Sequence, residues 1–238
     1  FYPRIYEQNL NPTKAYGAYF QTYVERDVRQ LQAIRDLSAF RRFLRLCAGR
    51  IGSTLNLSSL ASDASVSTET IRAWLSLLEA SYIIILLQPY FENFGKRIIK
   101  APKLYFVDVG LATYLLGTET ANKLSRDPLR GGLFENLVIG ELLKARCNRG
   151  LEPNIHFFRD NHGNEVDVIW KEGHQLVPIE IKSGRTFHPE FLRGIRFFKK
   201  LVGDRVPRSF LIYAGEQELE QGETRLLHYS KAGLIHRD

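Results

Sequence analysis

Three side chains in the second half of the chain have the types and spacing of a phosphate-cleaving site. Glu180 and Lys182 lie two apart in the apolar run Pro178-Ile179-Glu180-Ile181-Lys182. On an extended strand, side chains two apart project to the same face. Asp167 stands in an earlier alternating run, in which Val166, Val168 and Trp170 face one way and Glu165, Asp167 and Ile169 the other. Lys171-Glu172-Gly173-His174 between the runs suits a hairpin turn. Closing that hairpin brings Asp167 across from Glu180 and Lys182. Two carboxylates and an ammonium then converge on one point. Hard divalent cations such as Mg²⁺ or Mn²⁺ take oxygen ligands, and Mg²⁺ keeps several waters, so two or three carboxylates suffice. A bound cation activates a water and neutralises the charge growing on a phosphate. Lys182 would orient or deprotonate that water, or stabilise the pentavalent charge. Glu135, near the start of a helix read over 132–146, would supply a third metal oxygen or hold a metal-bound water. The expected catalytic set is therefore Lys182, Glu180, Asp167 and Glu135, with Asp167, Glu180 and Glu135 as metal ligands.

Each residue alone also has an ordinary explanation. Glu180 and Lys182 could be a surface ion pair, Asp167 a hydrogen-bonding group at a strand end, and Glu135 a complement to the positive end of its helix. Their coincidence weighs for a site, because an acid inside an otherwise apolar strand is costly unless it is paired or metal-bound.

The elements that must hold these groups follow from periodicity. A helix over 132–146, strands over 155–159, 165–170 and 175–182, a helix over 189–202 and a strand over 209–214 give the order αβββαβ, with 224–229 as a further strand. The helix over 189–202 turns Phe191, Leu192, Ile195, Phe198 and Leu201 inward and Arg193, Arg196, Lys199 and Lys200 outward. That basic face suits a phosphate backbone, and equally a solvated helix face.

The first half reads as helical. Apolar residues at helical spacing run over 12–33 and again over 37–48. Residues 56–90 read as a winged helix-turn-helix, with helices over 57–61 and 68–80, Ser67 as an N-cap and a strand over 82–87. The wing is expected to have its tip at 94–97 and its return strand at 98–99. In a DNA-reading version Thr68, Thr70 and Arg72 would meet the major groove, with Lys96 and Arg97 at the wing tip. Such modules also dock proteins, and both uses stay open. A further strand is read over 103–107, after which Asp108 reads as a helix cap. Residues 117–132 are polar and carry the expected boundary. Three segments result: a helical segment over 1–50, a winged-helix domain over 51–130 and a nuclease-like domain over 131–238.

Composition sets the outer limits. The chain of 238 residues is 44% hydrophobic and 25% charged, as a globular protein is. No apolar run approaches the length of a membrane span, and no leader is legible, so a cytoplasmic protein without membrane contact is expected. Two cysteines, Cys47 and Cys147, make neither a disulfide framework nor a zinc site, and both read as buried thiols. The net charge of +7 sits mostly in residues 1–130, which carry 17 basic and 11 acidic residues. That excess favours a polyanion partner there. The chain contains no Met, so a missing N-terminal part is expected.

The αβββαβ order with Asp167, a twelve-residue gap and Glu180-x-Lys182 resembles the PD-(D/E)xK nuclease superfamily, which includes restriction enzymes and archaeal Holliday-junction resolvases. The resemblance implies a restriction-endonuclease-like α+β or α/β domain, a metal on Asp167 and Glu180, a catalytic Lys182 and a completing Glu135. One departure is Glu165-Val166-Asp167 where Pro-Asp is usual. A resemblance over nearly the whole chain rests on Tyr-Val-Glu-Arg-Asp-Val at 23–28, Trp-Leu-Ser-Leu-Leu-Glu-Ala-Ser-Tyr at 74–82, Lys-Leu-Tyr-Phe-Val-Asp-Val-Gly-Leu at 103–111, Leu-Phe-Glu-Asn at 133–136 and Pro-Ile-Glu-Ile-Lys-Ser at 178–183. These phrases resemble the C-terminal region of a prokaryotic AAA+-type ATPase family. The chain has no P-loop string, so ATP would act only through an upstream ATPase domain. Two readings follow: a Mg²⁺-dependent deoxyribonuclease, or a non-catalytic module that binds nucleic acid or protein in the service of that ATPase.

Overall fold

The computed structural model describes residues 3–22, 34, 36–92 and 98–237. The chain forms two compact units, Phe1–Leu86 with Leu104–Leu133, and Leu87–Lys103 with Phe134–Asp238. The protein is mixed α and β, with a helical N-terminal region followed by a six-stranded mixed sheet.

The helical region contains α1 (Pro3–Glu7), α2 (Pro12–Tyr19), α3 (Leu37–Ala48), α4 (Leu57–Ala64) and α5 (Thr68–Ala80), then β1 (Ile84–Leu87), β2 (Lys103–Phe106), α6 (Val109–Leu115) and α7 (Ala121–Ser125). From α2 to α7 every helix follows an Asn, Asp, Ser or Thr whose side chain accepts one of its first amides: Asn11, Asp36, Asn56, Ser67, Asp108 and Thr120. Each such cap contributes about 1 kcal/mol. Ser65, with φ of 59°, takes the left-handed conformation that turns the chain from α4 to α5. Trp74 of α5 meets both Phe40 and Phe43 of α3 with ring centroids 5.2 Å apart, on a fully buried floor of Leu44, Leu60 and Ile71.

One expectation for this region changes. The wing does not return at 98–99. β1 pairs with β2 instead. Ile98 bridges Asp160, and the Ile99 N–H donates to the Arg159 carbonyl at 3.0 Å, which satisfies backbone groups on a sheet edge. The tip at 94–97 lies outside the described residues. Of the helix read over 12–33, α2 forms Pro12–Tyr19, and residues 23–33 also lie outside the described residues. Cys47 is buried, but Cys147 is exposed at the end of its helix.

Asp108 is a cap, as its position suggests. One oxygen accepts the Gly110 and Leu111 N–H groups at 2.8 and 3.2 Å and the Tyr16 hydroxyl at 2.7 Å. Gly110 has no room for a side chain, since a Cβ would stand 2.1 Å from the Tyr16 oxygen. Gly110→Ala must push the buried Tyr16 ring off Asp108. We expect a loss of about 1–3 kcal/mol, as for overpacking, read as a lower urea midpoint. An unchanged midpoint would show that Tyr16 is not held there.

The second unit is built on α8 (Arg130–Cys147), β3 (Ile155–Arg159), β4 (Glu165–Glu172), β5 (Gln175–Lys182), α9 (Arg193–Val202, entered through a 3-10 turn at Pro189–Leu192), β6 (Ser209–Tyr213), β7 (Leu219–Gln221) and β8 (Thr224–His228). The strand order is β3-β4-β5-β6-β8-β7. β3, β4 and β5 are antiparallel, β5 and β6 are parallel, and so are β6 and β8, while β7 runs antiparallel to β8. The helix-strand order αβββαβ is present, extended by β7 and β8. α9 covers one face: its Phe198 stacks edge-on against Phe158 at 5.1 Å, and Leu192 and Ile195 pack with Leu211, Tyr213 and Leu226. Residues 88–90 of the inserted segment lie along β3, where the Tyr90 N–H donates to the Phe157 carbonyl and the Phe157 N–H to that of Gln88. They therefore cover an edge that would otherwise be open.

Candidate active site

Two strands and two turns fix the site. β4 and β5 meet in the register Val168↔Ile179, Trp170↔Val177 and Glu172↔Gln175. A two-residue turn joins them, and Gly173 supplies its positive φ of 58°. Counting back from Val168↔Ile179 sets Asp167 beside Glu180. There a side chain takes over from the backbone ladder, and Asp167 Oδ2 accepts the Ile181 N–H at 2.8 Å. A second turn leads from β3 into β4. Asp160, itself buried, accepts from the His162 and Asn164 backbones and from the Asn164 side chain, and so fixes the entry to Glu165.

Asp167 and Glu180 are 8% and 4% exposed, and Lys182 joins them. Its Nζ lies 3.1 Å from Asp167 Oδ2 and 2.5 Å from Glu180 Oε2. Burial alone would raise both acids. Asp167 is instead held below its ordinary range, because burial is outweighed by Lys182, Lys103 and the bonds from Glu180 and Ile181. Glu180 is pushed well above its range, first by burial and then by the charge of Asp167. Of the two, Asp167 is therefore the acid that ionises more readily. Burial would lower Lys182, but the two acids reverse that and hold it as an ammonium.

Gly194 of α9 packs closely against the site. A Cβ there would stand 2.1 Å from both the Glu165 carbonyl and Glu180 Oε1. A cleft of about 310 Å³ opens on the group, lined among others by Glu165, Asp167, Glu180, Lys182, Glu190 and Arg193.

Glu135 is held differently. Lys103, only 2% exposed, donates to Glu135 Oε1 at 2.9 Å and pairs with Glu165 Oε1 at 2.5 Å. Burial would lower this lysine too, but Glu135, Asp167 and Glu165 raise it above its ordinary value. Four carboxyl groups and two ammoniums therefore form one cluster, in which Asp167, Glu180 and Lys182 touch directly and Glu135 enters through Lys103. Among the described residues no group of three or more His, Cys, Asp or Glu side chains stands ready to hold a metal ion. The donors nonetheless suit one. Two hard carboxylates, Asp167 and Glu180, line the cleft together, and Gly194 leaves the room that Glu180 Oε1 needs.

The expected nucleic-acid contacts are spread over both units. Thr68 and Thr70 are half-buried and Arg72 exposed on the first turns of α5, where the Ser67 and Thr70 hydroxyls bond each other at 3.1 Å. On α9, Arg193, Arg196 and Lys200 are exposed, while Lys199 pairs with Glu223. Lys96 and Arg97 lie outside the described residues. Motif reasoning missed Lys103 and the use of Glu165. The signal was available: a lysine heading the buried run Lys103-Leu104-Tyr105-Phe106 needs a partner for the same reason Glu180 does.

Among the described residues no helix is long and apolar enough to cross a membrane. The chain is 30% identical over 207 residues to the uncharacterized proteins Rv2008c of Mycobacterium tuberculosis and Mb2031c of Mycobacterium bovis. The alignment takes in 87% of this chain and 45% of each relative, so the chain spans less than half the length of these curated relatives. Residues 130–231, which carry the site, match a domain of unknown function, DUF4143. Residues 1–122 match a second domain of unknown function, DUF8612, and as this match takes in half of the chain, the chain belongs to the DUF8612 family.

Proposed function

We propose that Asp167, Glu180 and Lys182 form the centre of a PD-(D/E)xK-type phosphodiesterase acting on DNA. The observation that carries this reading is the single Lys182 ammonium bonded to two buried carboxylates at the mouth of a cleft. A Mg²⁺ or Mn²⁺ ion on Asp167 and Glu180 would supply charge neutralisation at the phosphate and an acidified water. Lys182 donates to a phosphate oxygen as charge develops there. The Ile181 N–H keeps Asp167 aimed into the cleft. Arg193 at the rim and Arg196 and Lys200 on α9 steer and hold the backbone. Domains of the DUF4143 kind are commonly associated with AAA-type ATPases. With the relatives about twice as long as this chain, an ATPase domain in the full-length proteins completes the proposal.

Incubation with linear and branched DNA in Mg²⁺ or Mn²⁺ tests the reading. Cleavage should fall about 100-fold or more in Asp167→Asn, Glu180→Gln and Lys182→Ala, as for loss of a charged group acting on the transition state. A second reading, a non-catalytic binding module, is favoured by one observation: lysines already pair with the carboxylates. Salt-dependent DNA binding with no cleavage, unchanged in these variants, would select it and sink the first.

A further inference from the structure

Lys103 is the most deeply buried cation described in the second unit, and every contact it makes there has a chemical meaning. Its Nζ lies 2.9 Å from Glu135 Oε1 and 2.5 Å from Glu165 Oε1. A third side is closed by the Phe157 ring, whose centroid is 5.4 Å away. A ring face attracts an ammonium but cannot ligate a divalent ion, which needs six or more oxygens. Asp167 stands within the electrostatic reach of both Lys103 and Lys182.

We infer that Lys103 is a built-in second cation, whose ammonium fills the space between Glu135 and Glu165 that a second divalent ion would need, so that the site takes one divalent ion and no more. This rests on the reading that Asp167 and Glu180 hold a divalent ion. Charge balance supports it. With Glu180 ionised, four carboxylates face two ammoniums, and one divalent ion leaves the cluster neutral. A second would leave two uncompensated positive charges among buried groups, which is costly. Removing the Lys103 charge lowers that excess and vacates the space. Glu135 and Glu165 then serve the first metal indirectly: they hold Lys103, and Lys103 helps keep Asp167 ionised.

Mn²⁺ titration of the whole chain, with free Mn²⁺ read by electron paramagnetic resonance, decides the matter without any activity assay. Wild type and Lys103→Arg should each bind one Mn²⁺, and Asp167→Asn none. Lys103→Met should bind two, or bind the first about tenfold or more tightly, a change of the size that neighbours of metal ligands produce. Near-ultraviolet circular dichroism checks that it is folded. A folded Lys103→Met that binds one ion with affinity within about twofold of wild type overturns the inference while the metal reading stands. If wild type binds none, the metal reading fails, and the inference that rests on it is overturned with it. Should Lys103→Met not fold, Glu165→Gln decides. It should leave the count at one and the affinity within about twofold, and a tenfold weakening would make Glu165 a metal ligand and overturn the assignment.

Discussion

Gly194→Ala is expected to lower stability and to abolish metal binding at the site, although helix propensity alone predicts the opposite. Alanine inside a helix is favoured over glycine by about 1 kcal/mol. Here the added methyl would stand 2.1 Å from the Glu165 carbonyl and 2.1 Å from Glu180 Oε1. The first is backbone of a central strand, and the second belongs to a carboxyl that is only 4% exposed and bonded to Lys182. Neither can retreat without breaking sheet or site, so α9 must lift. Overpacking costs about 1–3 kcal/mol, which outweighs the propensity gain at most of that range. Gly131→Ala is the control. Gly131 also lies in a helix, α8, and a Cβ there would meet nothing within 4 Å. It should raise the urea midpoint while Gly194→Ala lowers it and loses Mn²⁺ binding. If both variants are stabilised with the Mn²⁺ isotherm unchanged, α9 does not pack closely against the site at Gly194.

That glycine marks the limit of what sequence carries. The hairpin was legible because alternation is local: Asp167, Glu180 and Lys182 each follow from a period of two and a turn at Gly173. The helices α3, α4 and α5 were legible because caps and apolar spacing lie within the same few residues. β7 was missed because Leu219-Glu220-Gln221 is exposed and carries no apolar pattern; only its pairing with β8 makes it a strand. The return strand of the wing was misplaced because Ile98 and Ile99 have a strand's composition, and nothing local says that their partners are Asp160 and Arg159, at the end of β3. Glu135 was legible as a site residue, but its route into the site was not. Lys103 stands 32 residues before Glu135 and 62 before Glu165 in sequence, and only the fold brings the three together.

Glu180→Gln is expected to make the protein more stable as pH rises, while removing a group on which the proposed chemistry depends. The sign follows from the two acids. Glu180 has a folded pKa well above its ordinary 4.5, set by burial and then by Asp167. The folded state therefore keeps a proton that the unfolded state releases, and wild type loses stability as pH climbs from 4.5 towards the folded value. Asp167 is lowered, so its contribution is complete above its ordinary 3.8 and is lost only in more acid solution. Lys103 and Lys182 are raised, and their contributions are complete throughout below 10.5. His156, lowered by burial and then by Lys171, adds a slope of the other sign near its ordinary 6.5, but it is common to both proteins and cancels in the difference. What remains is one proton. The gap between Glu180→Gln and wild type should be near zero at pH 4 and widen by about 1.4 kcal/mol per pH unit above 4.5 until the folded Glu180 ionises. Urea midpoints from pH 4 to 9 measure it. A buried acid that costs the fold stability at working pH is what a site retained for chemistry looks like, and an amide of the same shape relieves that cost. Parallel curves for the two proteins would show that the fold does not raise Glu180.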